Sequence, residues 1–197
     1  MNDVFVQKEH GLMSYPGGGW RKWMFKAPIQ LWRLGLGPVI GRIVILITHT
    51  GRKSGLTRRT LAEYYTLNDR NYVVAAFGRK AQWCLNLLAD PRVTIQTSDG
   101  VTGARAVRVT DDQELEEVIR YFLRRDPPLT KWYLASLDIR EDLADLAEKK
   151  GRTYFFRFDP TDQPTPPPMQ ADLVWVWPLL IVGLVLMWLL SRDRSSS

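Results

Sequence analysis

Between residues 42 and 158 the chain is cut into short β-branched and aromatic runs, and turn chemistry rather than helical sequence separates most of them. Six runs read as strands: Arg42–Thr48, Thr60–Leu67, Asn71–Phe77, Val93–Thr97, Val101–Val109 and Thr153–Phe158. Asn68-Asp-Arg-Asn71 and Ser98-Asp-Gly100 are hairpin signals, because Asn, Asp and Gly tolerate the left-handed backbone that tight turns require. Strands joined by hairpins cannot build a doubly wound parallel sheet, which needs a helical crossover between neighbours. The pattern predicts an α+β chain built on an antiparallel, barrel-like sheet.

Helices are expected beside this sheet. Lys80–Ala89 places Trp83 and Leu87 four apart, and Asp90-Pro91 stops it. Thr110 is the expected cap of Asp111–Arg125, with acids in its first turn and Arg at its end, as the helix dipole favours. Asp126-Pro-Pro128 ends that helix. A further helix is expected near Ile139–Lys150, with Gly151 at its C-terminus. Toward the N-terminus, Trp20–Arg33 interleaves Trp20, Trp23, Met24 and Phe25 with Arg21, Lys22 and Lys26. Such a segment suits a membrane interface or a helix packed on its own domain with its cations reaching outward.

The chain divides accordingly into a basic and aromatic segment (1–38), a barrel domain (39–158), a proline-rich linker (159–172), an uncharged run (173–190) and a short tail (191–197). The linker has little that looks able to pack. Residues 173–190 carry no charge, are about as long as a hydrocarbon core requires, and hold Trp175, Trp177 and Trp188 near their ends. They are expected to be a single transmembrane helix, with the barrel domain in the cytoplasm. Met1–His10 is polar and has no apolar h-region, so no secretory leader is expected.

The net charge of +6 is unevenly placed. Residues 1–63 hold ten Lys/Arg and three Asp/Glu, the rest seventeen and eighteen, and no acid occurs from Gly11 to Ala62. A one-signed stretch attracts anions. Two His and one Cys are too few for a Cys/His zinc site, and Cys84 has no partner for an internal disulfide. No metal is expected. No nucleic-acid recognition motif accompanies the basic charge.

The acid-free stretch ends in His49-Thr-Gly-Arg-Lys-Ser-Gly-Leu-Thr-Arg-Arg-Thr60, set between two strands. Two glycines bracket Arg52, Lys53 and Ser54, and Arg58 and Arg59 follow. Exposed amides, a hydroxyl and four cations bind phosphate or carboxylate, although the same residues suit an ordinary solvated turn. The order of a P-loop is missing. No Ser/His/Asp set and no carboxylate pair is present to propose, so no catalytic acid is named, and His49 reads as structural.

Thr-Gly-Arg-Lys-Ser-Gly-x-x-Arg after an apolar strand resembles the signature of the deazaflavin-dependent nitroreductase and quinone reductase family. The resemblance continues through Tyr72-Val-Val-Ala-Ala-Phe-Gly78, Gln82-Trp-Cys-Leu-Asn-Leu87 and Asp90-Pro-Arg-Val93, and covers about residues 40–125. It implies a split β-barrel like that of flavin reductases, and coenzyme F-420, a deazaflavin with a phosphodiester and an oligoglutamate tail, as cofactor. The family's anion contacts fall on Arg52, Lys53, Ser54, Gly55 and Arg58, with Arg59 and Thr60 adjacent. Phe77, Gly78, Arg79, Lys80 and Trp83 fall near the ring or its phosphate. Gln82 and Cys84 stand where many relatives differ, and the nearest substrate-pocket candidates are Trp132 and Tyr133.

The resemblance implies hydride transfer from reduced coenzyme F-420 to a quinone, nitro or other conjugated acceptor, and the uncharged run at 173–190 leads to the expectation that this occurs at the membrane. FMN as cofactor, or a non-catalytic module binding flavin, deazaflavin or acidic lipid, are the other readings, and a homodimer is left open.

Overall fold

The computed structural model describes residues 29–140 and 142–194. Its centre is a closed barrel of β1 (Val44–Thr50), β2 (Thr57–Leu67), β3 (Arg70–Val74), β4 (Arg92–Thr97), β5 (Gly100–Arg108) and β6 (Phe155–Pro160). Around the barrel the order is β1-β2-β3-β6-β5-β4, and every neighbouring pair is antiparallel. The expected antiparallel barrel is therefore present. Asn68 (φ 50°) and Asp69 (φ 58°) form the two-residue turn between β2 and β3, both in the left-handed region that their short polar side chains tolerate.

Two strand boundaries differ from expectation in a way that matters below. β1 extends to Thr50, and β2 begins at Thr57, with His49 opposite Arg58 and Thr48 opposite Arg59. The sequence conceals this pairing because the exposed start of β2 is polar and shows no apolar alternation. At the other end β1 begins only at Val44, after a short helix α1 (Gly37–Ile40).

A 3₁₀ turn at Gly78–Lys80 leads into α2 (Gln82–Ala89), which closes one end of the barrel. Cys84 and Leu87 of α2 join Ile45, Ile47, Val93 and Phe156 in the interior. A second core lies outside, where Tyr72 of β3 and Phe155 of β6 pack against α3 (Asp112–Arg125) and α4 (Pro127–Ser136). Glu114 of α3 fastens this layer by accepting from Tyr72 Oη (3.0 Å) and Arg157 Nη1 (2.6 Å). Asp111, not Thr110, caps α3, its carboxylate accepting from Glu114 N.

Asp126-Pro-Pro128 ends α3 as expected but also starts α4. Asp126 is at once the C-terminal neighbour of α3 and the N-cap of α4, where it accepts from Leu129 N, and proline is favoured in a first helical turn. The helix expected near Ile139–Lys150 is shorter, α5 (Leu143–Lys149), capped by Asp142 and followed by a 3₁₀ turn rather than a glycine cap.

The linker packs despite its composition. Thr161 N donates to Gly103 O (3.0 Å), Thr165 Oγ1 meets Thr94 Oγ1 (2.8 Å), and Met169 exchanges two hydrogen bonds with the Gln96 amide. Thr94 also bonds Pro166 O. Prolines lack a donor, but their carbonyls accept, and the outward Thr94 and Gln96 side chains of β4 are buried beneath this strap.

Beyond it, α6 (Val176–Arg194) replaces the uncharged helix expected over 173–190, beginning three residues later and ending on charged residues. Among the described residues no helix is long and apolar enough to cross a membrane. Of the expected Trp20–Arg33 helix only 29–33 is described, and it is helical. Trp20, Trp23, Met24 and Phe25 lie outside the described residues.

Candidate cofactor-binding site

The turn between β1 and β2 is shorter than the sequence suggests, running only from Gly51 to Leu56. It closes on itself. Gly51 N donates to Leu56 O (2.8 Å), Ser54 N and Gly55 N donate to Gly51 O (3.1 and 2.8 Å), and Leu56 N reaches Ser54 Oγ (3.4 Å). Gly55 sits at φ +66°, which accounts for a glycine there. Arg52 N donates to Asn86 Oδ1 (3.2 Å). The expectation of a cradle of exposed amides is thereby corrected, because these five amides already have acceptors. Anion binding at this turn therefore rests chiefly on its side chains, with the Lys53 amide beside them.

Arg52 and Lys53 are carried by the turn, whereas Arg58, Arg59 and Thr60 belong to β2. Successive strand residues point to opposite faces. Arg58 and Thr60 lie on the face of His49, and Thr60 Oγ1 is 3.4 Å from His49 Nε2. Arg59 lies opposite Thr48 on the other face, near enough to Asp172 to help lower its pKa. The five neighbours in sequence thus do not converge. Arg52, Arg58 and Thr60 share one end of the barrel, and Arg59 leaves it. Among the described residues none of Arg52, Lys53, Arg58 or Arg59 makes an ion pair, while Arg33, Arg92 and Arg157 each grip a carboxylate.

Arg52 reaches across to α2. Its Nη1 donates to Asn86 Oδ1 (3.0 Å) and its Nη2 to Gln82 Oε1 (3.0 Å). Gln82 and Asn86 stand four apart and so share a helix face. Asn86 Nδ2 meets His49 Nδ1 at 3.3 Å. Because Asn86 Oδ1 takes two donors from Arg52, its NH₂ faces His49, and the ring proton belongs on Nε2, toward Thr60. Burial, with the charge of Arg58 adding to it, pushes His49 down to about 4, so the ring is neutral at pH 7. A group so buried and so weakly basic does not serve as a proton donor. Burial likewise raises the Cys84 thiol to about 11, which leaves it unreactive.

The 76–80 stretch lies against the same end. Gly78 is at φ +47°, and a Cβ there would come within 3.1 Å of the Tyr154 ring. Arg79 and Lys80 are exposed, whereas Phe77 and Trp83 pack on the barrel core, with Trp83 5.9 Å from Phe156 between ring centroids. Tyr133 is buried in the second core, edge-on to Phe155, and its hydroxyl accepts from Tyr154 N (3.0 Å). Trp132 packs partly buried beside it. Neither lines the loop.

Sequence reasoning missed Gln82 and Asn86 as partners of Arg52. Their four-residue spacing was the available signal. It also missed Arg108, whose guanidinium lies 4.1 Å above Tyr154 and donates to the carbonyls of Gly151 and Thr153. Among the described residues no group of His, Cys, Asp or Glu could hold a metal ion.

Among the described residues no carboxylate cancels the charge of Arg52, Lys53 or Arg58, a setting that suits an anionic ligand. A solved structure described as an F-420-H2 dependent reductase (FDR-A) is 24% identical over 60% of this chain and 95% of its own, with a TM-score of 0.47. Another, described as a domain-swapped dimer, is 22% identical over 72% of this chain and all of its own, with a TM-score of 0.50, a likeness of fold. The family described as F-420H(2)-dependent quinone reductase matches residues 35–131, from α1 through β1–β5 into α4. Over residues 35–131 the chain matches this family of oxidoreductases, which use coenzyme F-420.

Proposed function

We propose that the protein reduces a lipid-soluble quinone with coenzyme F-420, holding the cofactor's tail on Arg52, Lys53 and Arg58. The observation that carries this reading is the pairing of Arg52 with two neutral amides, which fixes the guanidinium while leaving its charge for an anion. When bound and reduced, the cofactor supplies a hydride, and the quinone takes it together with one proton to become the hydroquinone. The chain's part is to bind, orient and exclude water. Neither His49, which is neutral and enclosed, nor Cys84, whose thiol burial holds protonated, is suited to supply that proton.

The membrane reading rests on α6. From Leu179 to Trp188 its large apolar side chains are each 50–62% exposed, on every side of the helix. A protein partner needs one apolar stripe; a helix apolar all round suits lipid. The uncharged run continues through Leu189 and Leu190 in the sequence. On this reading α6 tethers the barrel to the cytoplasmic face, where a membrane-dissolved quinone is concentrated.

Two measurements test it. Full-length protein in lipid should oxidise reduced F-420 when a menaquinone analogue is added, followed by the cofactor's absorbance. No quinone-dependent oxidation would leave a binding module as the reading. Carbonate washing should leave the full chain in the membrane fraction, and release of the chain would remove the tether. A nitroaromatic acceptor, and FMN in place of F-420, are run as the competing arms.

A further inference from the structure

Asn86 has no role in the reading above beyond being a contact, yet its surroundings are unusual. It is a polar side chain only 6% exposed, on the helix that closes the barrel. Three of the four hydrogen-bonding positions of its amide face a specific partner: Oδ1 takes Arg52 N (3.2 Å) and Arg52 Nη1 (3.0 Å), and one Nδ2 hydrogen faces His49 Nδ1 (3.3 Å). The neutral His49 ring is held from its other side by Thr60 (3.4 Å). A chain of neutral groups therefore runs from β2 through the barrel end to the turn.

We propose that Asn86 is the positioning residue of the Arg52 turn, fixing both the backbone and the guanidinium of Arg52 so that an intact positive charge faces the cofactor's anionic tail. The inference rests on the tail being bound at this turn. Three other arginines are oriented by carboxylates, Arg33 on Asp172, Arg92 on Asp90 and Arg157 on Asp159. A carboxylate holds a guanidinium more strongly, but it cancels the charge. An amide gives the geometry without the cancellation. Asn86 can do this from a buried position because His49, unprotonated, supplies an acceptor for its NH₂. Gln82, exposed at the start of α2, completes the grip through Nη2 of Arg52.

The experiment uses the full chain with two variants, Asn86→Ala and Gln82→Glu, and two probes, F-420 with its glutamate tail and the tailless deazaflavin. Asn86→Ala frees Arg52, and Gln82→Glu keeps an acceptor but adds a negative charge beside it. Both should weaken tailed-cofactor binding by about 5-fold to 50-fold, the scale of one charge-assisted hydrogen bond, and leave tailless binding within about 2-fold. Gln82→Glu should also flatten the salt dependence of binding. Equal loss for both probes in Asn86→Ala, or loss for neither, overturns the proposal. A second readout does not need the cofactor: the Arg52 guanidinium N–H signals in NMR should be protected in the parent and lost in Asn86→Ala, and their persistence in the variant overturns the positioning role. If the parent itself binds both probes alike while Asn86→Ala still loses the Arg52 signals, the positioning of Arg52 stands and the tail site is what falls.

Discussion

Arg33 and Asp172, 139 residues apart, are joined fork to fork, with Nε to Oδ1 at 2.8 Å and Nη2 to Oδ2 at 2.7 Å. The contact draws the segment before the barrel onto the root of α6. Leu173 N donates to Arg33 O (2.9 Å), and Trp177 Nε1 donates to Leu34 O (2.8 Å). The Arg33 guanidinium holds the Asp172 carboxyl below the usual carboxylate range. Both side chains are partly in water, at 34% and 50% exposure, so the pair orders the strap without dominating stability. Asp172→Asn should leave the melting temperature within scatter while protease cutting between 161 and 175 speeds up. Unchanged cutting would mean the strap is held by its other contacts, those of Thr161, Thr94, Gln96 and Leu173.

Gly41 should tolerate no side chain. Its backbone lies against β4, where Ser98 N donates to Gly41 O (3.0 Å), and an added Cβ would come within 2.5 Å of Ser98 N and 2.6 Å of the Thr97 carbonyl carbon. These are backbone atoms at the last residue of β4 and the first of its hairpin turn, and they cannot give way easily. Gly41→Ala should cost about 2 kcal/mol or more, the scale of overpacking, read from urea unfolding. A variant as stable as the parent would show that the start of β1 can move.

The barrel was legible because its hairpins carry their turn residues in plain view, Asn68-Asp69 and Ser98-Asp99 among them. The start of β2 was not, since Arg58 and Arg59 gain their strand geometry from partners in β1 and not from apolar alternation. That hidden pairing is also why Arg59 seemed to belong with Arg58, although the pleat sends it to the other face. The linker misled for a related reason: its packing uses proline and methionine carbonyls against Thr94 and Gln96, which no pattern of apolar residues announces. Asp126 ended one helix and began the next, and a single Asp-Pro-Pro cannot by itself distinguish a stop from a stop and start.

Tyr133→Phe separates a core role from a substrate role. The hydroxyl accepts from Tyr154 N in a buried setting, so its removal leaves that N–H unsatisfied and should cost about 1–3 kcal/mol of stability. Because the ring packs on Phe155 and not at the loop, KM for the quinone should stay within about 2-fold, below the scale of one lost contact. A raised KM with unchanged stability would return Tyr133 to the substrate pocket.

His49 should govern part of the acid limb of stability. Its folded pKa of about 4 lies below the ordinary value of 6.5, so between these values the unfolded chain takes up a proton that the folded chain refuses. Stability contributed by this site is complete above about pH 6.5 and falls as pH drops toward 4, by at most roughly 3 kcal/mol. His49→Gln cannot titrate there. The stability difference between parent and variant should shift in favour of the variant as pH falls from 7 to 4.5, with carboxylate titrations cancelling between the two. A pH-independent difference would show that His49 is not buried neutral.

Lys53 gives the sharpest test of the turn. It is exposed in the middle of Gly51–Leu56, and among the described residues no carboxylate pairs with it. The turn's own hydrogen bonds run through Gly51, Ser54, Gly55 and Leu56, so removing the Lys53 side chain leaves the fold of the turn alone. Lys53→Ala should then melt with the parent. If the tail carboxylates or the phosphate meet this side chain, binding of tailed F-420 should weaken by about 10-fold to 100-fold, the range of a charge-assisted contact. Lys53→Gln should lose nearly as much, since it keeps length and polarity but not charge, and the loss should shrink in high salt as screening removes the charge term from the parent too. Binding by both variants equal to the parent at low salt would take the cofactor's tail away from this turn and leave it an ordinary solvated connection between β1 and β2.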